Sequence, residues 1–286
     1  MVVLVTGANG QLGQALQFIA PNFLNVNFIF CNVTDLDISN KENCQAVFHK
    51  MKPDFCINTA AYTAVDKAES EPEKAELINV TGAKNLAETC KEFDATLIHI
   101  STDFIFDGSN NNPYTENQIP NPKGVYGQTK LDGEKAIQEV FSKYYIIRTS
   151  WVYSQFGNNF MKTMLRLASE RTSLSVVNDQ IGTPTNAVDL ADCLMTIINV
   201  QHPKPITQYH YGIYNFSNEG QCSWYDFAKK IFELNNISIH LQSIPTTSFP
   251  TPASRPKYSV LDKSKIKSTF GITIKNWEES LKKAIK

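Results

Sequence analysis

Two side chains that can exchange a proton, Tyr126 and Lys130, are four residues apart in a segment whose apolar residues follow helical spacing. At that separation both side chains lie on one face of a helix. A phenol with an ordinary pKa of about 10 rarely exchanges its proton at neutral pH, but a neighbouring ammonium favours the phenolate and lowers that pKa. We therefore predict that Tyr126 is a general acid for a carbonyl oxygen, which the Thr102 hydroxyl can also hydrogen-bond.

A second chemical pattern lies at the N-terminus, where a β-branched run at residues 2–5 precedes three glycines, Gly7, Gly10 and Gly13. An amphipathic helix follows directly. Its unpaired N–H groups and positive dipole end face the space above the strand, and glycines without Cβ let a pyrophosphate approach. This order predicts a dinucleotide cofactor, and the alternative is a tight strand-to-helix turn. The nicotinamide would supply a hydride, and Lys130 would hold the nicotinamide ribose.

The residues after the second predicted strand, at 26–30, bear on the choice of coenzyme. An acidic residue there would hydrogen-bond the ribose of NAD, and an arginine would accommodate the 2′-phosphate of NADP. Cys31 and Asn32 occupy these positions, so NADPH and NADH both remain open. Asp37 is placed to touch adenine or ribose, or else it is a turn or cap acid before the next helix.

The elements that position these residues alternate between strand and helix along the first 150 residues. This alternation predicts an α/β fold with a doubly wound parallel sheet of the Rossmann type. Ligands bind beyond the carboxyl ends of the strands in such a sheet. We therefore expect residues 59–63 to run alongside the cofactor, and Thr102 and Asp103 to reach the same edge.

The alternation becomes less regular after residue 150, which predicts a second structural unit. We expect residues 1–150, with about 174–200, to form the dinucleotide-binding domain. Residues 151–173 and 201–286 are expected to form a smaller substrate-binding lobe.

Composition narrows the class of protein. The chain has 286 residues, 42% hydrophobic residues and a net charge of −1, which gives no reason to expect nucleic acid or an anionic membrane as a partner. Its six cysteines are far apart and several lie in apolar runs, so we expect buried free thiols. Because the first strand starts at residue 2 and no apolar stretch is long enough to span a bilayer, a cytoplasmic protein is expected.

Seven segments distributed along the whole chain resemble the extended short-chain dehydrogenase/reductase family. They are TGANGQLG at 6–13, NTAAYTAVDKAE at 58–69, STDFIFDG at 101–108, YGQTK at 126–130, RTSWVY at 148–153, DQIGTPT at 179–185 and RPKYSVLD at 255–262. The narrower segments, at 66–69, 179–185 and 255–262, are most similar to members that reduce the C4 ketone of dTDP-4-dehydro-L-rhamnose with NADPH or NADH. The resemblance therefore implies that dTDP-L-rhamnose is the product, a sugar donor for bacterial cell-surface polysaccharide.

The resemblance also implies roles for individual positions of this chain. The cofactor would be bound at the pyrophosphate by Gly10, Gln11 and Leu12, at the adenosine by Asp37 and Ile38, and at its middle by Ala61, Tyr62 and Thr63. The sugar would be held by Thr102, Asp103 and Trp151, with Tyr126 as the proton donor. Arg255 would pair with the diphosphate of the nucleotide, because a guanidinium suits phosphate oxygens; a surface ion pair is the alternative.

Two positions depart from the family pattern. Phe104 stands where relatives often carry tyrosine, so one hydroxyl contact to the substrate is expected to be missing. Some relatives dimerise through Mg²⁺ held by acidic side chains, one of them in the first helix, which here offers Gln14, Ala15 and Gln17. The sequence therefore does not support a metal, and we expect a monomer or weak homodimer.

Two other readings of the same residues stay open. One is another nucleotide-sugar reductase or epimerase of this family; a dehydratase is disfavoured because Phe104, rather than a second acid, follows Asp103. The other is a non-catalytic NADP-binding regulatory subunit resembling methionine adenosyltransferase β. The presence of Thr102, Tyr126 and Lys130 together favours an enzyme.

Overall fold

The computed structural model describes residues 1–201 and 209–285. The strands are Val2–Thr6 (β1), Asn27–Cys31 (β2), Phe55–Asn58 (β3), Thr96–Thr102 (β4), Tyr144–Thr149 (β5), Val152–Tyr153 (β6), Ser173–Val177 (β7), Ile181–Gly182 (β8), Thr185–Asn186 (β9), Gly212–Asn215 (β10), Cys222–Ser223 (β11) and His240–Ile244 (β12). The α-helices are Gln11–Ile19 (α1), Lys41–Met51 (α2), Val65–Ala68 (α3), Pro72–Glu76 (α4), Gly82–Glu92 (α5), Val125–Val140 (α6), Phe160–Glu170 (α7), Ala187–Val200 (α8), Trp224–Leu234 (α9), Ser264–Phe270 (α10) and Trp277–Ala284 (α11).

A six-stranded sheet in the order β10-β5-β4-β3-β1-β2 forms the centre of the fold, and all its strand pairs are parallel. Helices α1, α8 and α10 contribute to the core on one face, and α2, α5 and α6 contribute to the core on the other. The predicted doubly wound parallel sheet is confirmed. Its strands are apolar runs because helices bury them from both sides.

The chain is helical from Pro72 to Glu92, but the helix changes its winding in the middle. Residues Leu77–Thr81, between α4 and α5, adopt the π-helical form. A π-turn inserts one residue into a helix and changes the direction of the side chains that follow it. The buried side chain of Asn79 lies in this turn and reaches the candidate site described below.

The boundary between the sheet and the smaller lobe differs from the expected one. Strand β7, expected in the dinucleotide-binding domain, pairs with β12, and its apolar side chains pack with α7, α9 and α11. Conversely, β10 and α10 were expected in the lobe, but β10 pairs with β5 and Phe270 of α10 lies in the sheet core. Periodicity identifies a strand without identifying its partner, which explains this error. Residues 202–208 and 286 of the expected lobe lie outside the described residues.

All six cysteines are buried and free, as expected. Within residues 1–201 and 209–285, no helix combines the length and the apolar character needed to cross a bilayer.

Candidate active site

A cleft of about 1150 Å³ opens at the carboxyl edge of the sheet. Of the residues proposed from the sequence, it is lined by Gly7, Gly10, Gln11, Leu12, Asp37, Ile38, Ala61, Thr63, Thr102, Asp103, Tyr126, Lys130, Trp151 and Arg255. Gly13 and Tyr62 are not among the described residues that line it. The fold thus brings residues that are up to about 250 positions apart in the sequence to one site, as a parallel sheet does at its carboxyl edge.

The glycine turn has the geometry of an anion-binding cradle. Gly7 has φ +65°, and a Cβ there would lie 2.7 Å from the backbone nitrogen of Ala60, so only glycine fits. Gly10 caps α1 without any side-chain hydrogen bond, and the first turn of α1 contains no acidic residue. The positive end of α1 is therefore available to a phosphate group, and the turn fits the pyrophosphate of a dinucleotide.

The side chain of Gln11 links the turn to the segment after β6. Its Oε1 accepts hydrogen bonds from Ser154 Oγ at 3.0 Å and Asn159 Nδ2 at 2.9 Å, and its Nε2 donates to Val152 O at 3.3 Å. The amide of Gln11 is thus used within the protein. Any contact with a pyrophosphate would come from its backbone N–H.

Asp37 takes part in a local turn. Its Oδ1 accepts hydrogen bonds from the backbone nitrogen of Ser39 at 2.9 Å and from the Ser39 hydroxyl at 2.7 Å. Of the two roles left open by the sequence, the turn acid is observed, and the residue also lines the cleft. Ile38 is buried beside it against Gly82 of α5.

The segment after β3 is held in place by Asn79 of the π-turn. Asn79 Oδ1 accepts from the backbone nitrogen of Tyr62 at 2.9 Å, and its Nδ2 donates to Tyr62 O at 3.2 Å and to Thr129 Oγ1 at 3.1 Å. The phenol of Tyr62 donates to Glu71 instead of facing the cleft. Ala61 and Thr63 therefore line the cleft, and Tyr62 supports them from behind.

Thr102 and Tyr126 meet because the start of α6 lies against the segment after β4. A Cβ on Gly127 would be 2.2 Å from the carbonyl oxygen of Phe104, so a side chain at this position would separate the two segments. Thr102 and Tyr126 both line the cleft, and Thr102 is close enough to influence the pKa of Tyr126. The Phe104 ring packs edge-on against the Tyr126 ring, with 5.6 Å between the centroids. The two hydroxyls expected to face a carbonyl oxygen are therefore adjacent.

The lowering of the Tyr126 pKa was expected from Lys130 together with a positively charged nicotinamide, and the residues of the protein by themselves shift this pKa upward. Burial raises the pKa of Tyr126 to about 12, a hydrogen bond with Thr102 opposes the rise, and the Asp103 carboxylate adds to it. Lys130 has little influence because its Nζ is directed toward the sheet, where it donates to Ile100 O at 2.7 Å. Tyr126 is consequently protonated at neutral pH, which is the form that a proton donor requires.

Asp103 and Lys130 also have shifted pKa values in this cleft. Burial raises the pKa of Asp103 to about 6, against the opposing effect of hydrogen bonds with Ser259 and Thr102. Burial lowers the pKa of Lys130 to about 8, and the charge of Glu134 opposes that change. Shifted groups gathered in one cleft are typical of active sites.

Trp151 forms part of the boundary between the cleft and the smaller lobe. It has the left-handed φ of +47°, a conformation that costs a bulky residue about 1–3 kcal/mol, and its ring stacks on Trp224 with 3.5 Å between the centroids. Sequence reasoning missed Trp224, because an aromatic residue at the start of an amphipathic helix is ordinarily a core residue. Both rings also line a second cavity of about 800 Å³, beside α7, β7 and β12.

Arg255 lines both cavities and forms an ion pair with Asp66. Its Nη1 donates to Asp66 Oδ1 at 3.0 Å and its Nη2 to Asp66 Oδ2 at 2.7 Å, and this contact lowers the pKa of Asp66. The ion pair that the sequence offered as the alternative is thus observed. Nη1 also donates to Ala253 O, which leaves one N–H of Nη2 and the Nε–H for a ligand.

Two buried polar residues near Lys130 were not singled out from the sequence. His99 interrupts the apolar run of β4, a signal that could have identified it, and lies 3.2 Å from Lys130 Nζ. Glu134, one helical turn after Lys130, forms a buried ion pair with Arg148. A lysine and a glutamate four residues apart are common on exposed helix faces, so the spacing of Lys130 and Glu134 does not reveal that Glu134 is buried.

The expected lack of a magnesium site at α1 is consistent with the side chains there. Gln14 donates to Asn9 O and Gln17 donates to Ala8 O, so their amides hold the glycine turn. Across residues 1–201 and 209–285, no group of three or more His, Cys, Asp or Glu side chains is arranged to hold a metal. The residues present therefore do not fit the acidic magnesium site of some relatives.

Comparisons with known proteins agree along the whole chain. The family model described as the RmlD substrate binding domain matches residues 1–286. The dTDP-4-dehydrorhamnose reductase of Escherichia coli (strain K12) is 42% identical over 297 residues, which cover 100% of this chain and 97% of that protein.

Two solved structures give the same result. A dTDP-4-dehydrorhamnose reductase of Clostridium acetobutylicum is 44% identical with a TM-score of 0.94, covering 100% of this chain and 98% of that chain. The dTDP-4-dehydrorhamnose reductase of Bacillus anthracis, solved in complex with NADP, is 40% identical with a TM-score of 0.92. This match covers 99% of this chain and 98% of that chain. Because sequence, fold and family model agree over the full length, the chain belongs to the dTDP-4-dehydrorhamnose reductase family.

Proposed function

We propose that this protein reduces the C4 ketone of dTDP-4-dehydro-L-rhamnose to dTDP-L-rhamnose with NADPH or NADH, and that Tyr126 donates the proton. The observation that carries the proposal is the adjacency of Tyr126 and Thr102 in the cleft that contains the glycine turn. The reductases of E. coli and B. anthracis support the substrate and the cofactor, respectively.

The residues present fit a nicotinamide dinucleotide. The open N-terminus of α1 would hold its pyrophosphate, Asp37 and Ile38 would line the adenosine side, and Ala61 and Thr63 would lie along its middle. When bound, this cofactor supplies a hydride to the carbonyl carbon. Lys130 lies on the inner side of the same cleft, where it would hold the nicotinamide ribose.

Tyr126 and Thr102 act on the oxygen of the ketone. As the carbonyl carbon receives a hydride, its oxygen gains negative charge, and the Tyr126 hydroxyl transfers its proton to that oxygen. The Thr102 hydroxyl hydrogen-bonds the same oxygen and stabilises the charge that develops there. The raised pKa of Tyr126 keeps the phenol protonated before the reaction, so each turnover begins with the proton in place.

The edge of the sheet and the smaller lobe together would supply the groups for the sugar nucleotide. Asp103 and Trp151 would contact the sugar beside Thr102, and the second cavity would receive the nucleotide. Arg255 lines both cavities and retains two N–H groups outside its contacts with Asp66 and Ala253. We infer that these N–H groups bind the diphosphate while Asp66 holds the guanidinium in position.

The substitution Tyr126→Phe tests the proposal directly. We expect NADPH oxidation with dTDP-4-dehydro-L-rhamnose to fall by about 10²–10⁴-fold, the usual contribution of a general acid, whereas cofactor binding stays. Tyr144→Phe is the matched control, because Tyr144 begins β5 at the opposite end of the sheet and should leave turnover unchanged. Unchanged turnover in Tyr126→Phe would overturn the assignment of the proton donor.

Substrate class is tested by a panel of dTDP-, GDP- and UDP-linked ketosugars with both coenzymes. Preference for a different nucleotide or sugar would favour another reductase or epimerase of the family. No turnover, together with NADP binding and capture of a methionine adenosyltransferase in a pull-down, would favour a regulatory subunit.

A further inference from the structure

The indole of Trp151 is enclosed by two residues that are distant from it in the sequence. It stacks on the ring of Trp224, with 3.5 Å between the centroids and 10° between the planes. A Cβ added to Gly182 would lie 2.5 Å from Trp151 Cε2, 2.6 Å from Cζ2 and 2.8 Å from Nε1, and these are its three nearest atoms outside the adjoining residues. Gly182 does not have the left-handed φ that favours glycine. The close approach of the indole is therefore what requires a glycine here.

The two neighbours lie on opposite faces of the indole. Cε2 is bonded to both Cζ2 and Nε1, and because it is the nearest of the three, the added Cβ would lie over the face of the ring and not outside its edge. Trp224 is nearly parallel to Trp151 and centred on it, so a Cβ on that face would meet Trp224 first. Gly182 therefore covers the other face. Only the edge of the indole remains for the cleft, which Trp151 lines.

Short strands and one helix cap bring Gly182 and Trp224 together. Gly182 lies in β8, which pairs with β11, and Trp224 directly follows β11 as the first residue of α9. Ser223 and Asp226 form a capping box that fixes the start of this helix. Phe160 of α7 packs on Trp224, with 4.6 Å between the ring centroids. Trp224 is thus held by its helix and by a neighbouring ring.

The backbone around Trp151 is held by the segment that contains Gly182. Ser150 Oγ donates to Thr183 O at 2.8 Å, and the backbone nitrogen of Thr185 donates to Trp151 O at 3.1 Å. The left-handed φ of Trp151, +47°, persists in a bulky residue only where the surrounding structure enforces it, and such residues cluster at functional sites. One segment therefore fixes both the backbone and the ring of Trp151.

We propose that Gly182 and Trp224 are positioning residues for Trp151, which hold its indole edge-on as a preformed wall against which the sugar of the substrate packs. Trp151 and Trp224 line both cavities, so this wall lies at the boundary between them. A side chain that is fixed before binding loses little further freedom when the substrate binds, which favours affinity. The contact with the sugar rests on the proposed function. The arrangement of the three residues does not, so it can be tested without turnover.

The first experiment measures nuclear Overhauser effects in the wild-type protein without cofactor or substrate, with tryptophan and glycine labelled selectively. The signals of the Trp151 ring are identified by their loss in Trp151→Phe. We expect contacts from this ring to the Trp224 ring and to the Hα protons of Gly182. The absence of either contact would overturn the inference, because the wall would then not exist before binding.

The second experiment is a double-mutant cycle followed by urea denaturation. Ordinary contact begins at 3.4 Å, so Gly182→Ala must displace the indole by about 0.9 Å. We expect this substitution to lower the denaturation midpoint of the wild type but not that of Trp151→Ala, which lacks the ring that the new Cβ meets. An equal decrease in both backgrounds would overturn the inference, because the glycine would then be required by something other than Trp151.

The third experiment separates KM from kcat in Trp224→Leu, which removes the stacked ring. We expect KM for dTDP-4-dehydro-L-rhamnose to rise by about 2–10-fold, the cost of ordering one side chain on binding. Because Trp151 transfers neither proton nor hydride, kcat should stay within about two-fold. Tyr225→Phe is the matched control, since Tyr225 is the next residue of α9 and lines neither cavity.

The outcomes distinguish the inference from the proposed function. An unchanged KM in a folded Trp224→Leu protein would overturn the role of Trp224 in positioning. No turnover by the wild type would overturn the proposed function instead, and the positioning of Trp151 would then be decided by the first two experiments. If Trp224→Leu does not fold, the wild-type contacts and the Gly182→Ala cycle still decide it.

Discussion

The contact between α6 and the segment after β4 provides a test of how Tyr126 is positioned. In Gly127→Ala, the new Cβ would lie 2.2 Å from the carbonyl oxygen of Phe104 and 3.1 Å from Pro122 Cβ. Ordinary contact begins at 3.4 Å, so the start of α6 and the Phe104 backbone must separate by about 1.2 Å. Since Thr102 lies on one side of this contact and Tyr126 on the other, their hydroxyls must separate as well.

The expected energies distinguish stability from catalysis. Overpacking of this kind lowers the free energy of unfolding by about 1–3 kcal/mol, and the better helix propensity of alanine raises it by about 0.5–1 kcal/mol. We therefore expect a net loss of about 1–2 kcal/mol in the free energy of unfolding. A displacement of about 1 Å in a catalytic group costs roughly 10²-fold in rate, so kcat should fall by about that factor. Cofactor affinity should change less, because the glycine turn is on a different element.

The assay combines urea denaturation, NADPH binding and turnover of dTDP-4-dehydro-L-rhamnose. Glu139→Ala is the control, because it changes an exposed residue of the same helix and adds no atom near Phe104. Turnover within about two-fold of the wild type in a folded Gly127→Ala protein would refute the argument that this close approach positions Tyr126.

Three further results follow from the buried charges and from α1. Glu134→Ala should lower the free energy of unfolding by about 3–5 kcal/mol, measured by urea titration, because it leaves Arg148 buried without its partner. Glu170→Ala is the control: it breaks an exposed pair with Arg166 and should lower the same free energy by less than about 1 kcal/mol. The pKa of Asp103 is about 6 in the folded protein and has an ordinary value of 3.8. Between these two pH values the folded state holds a proton that the unfolded state has lost, so the free energy of unfolding of the wild type should decrease as pH rises from about 4 to about 6. Asp103→Asn should lack this decrease and gain up to about 3 kcal/mol over the wild type above pH 6; parallel pH curves for the two proteins would contradict the burial argument. Chelation with EDTA should leave turnover and the sedimentation coefficient unchanged, because α1 offers amides and no acid in its first turn. A loss of activity or of a dimer would show a metal that these residues do not predict.

Local features of the chain were predictable from its sequence because they depend on nearby residues only. The glycine turn follows from residues 2–13, where one strand, three glycines and one helix are contiguous. Tyr126 and Lys130 share a helix face because they are four residues apart, and both line the cleft as expected. The carboxyl-edge position of Thr102 follows from the alternation of strands and helices.

Only the tertiary structure decided the contacts between distant segments. Trp151 stacks on Trp224 across more than 70 residues, and Arg255 pairs with Asp66 across 189. The pKa of Tyr126 rises because its phenol is desolvated by burial, and the Nζ of Lys130 is held at the sheet by Ile100 O. Neither outcome can be obtained from spacing, because burial and partner choice depend on the packing of the whole chain. The sequence alone therefore determined most of the groups that reach the cleft, although not Trp224, and the fold determined their protonation and their partners.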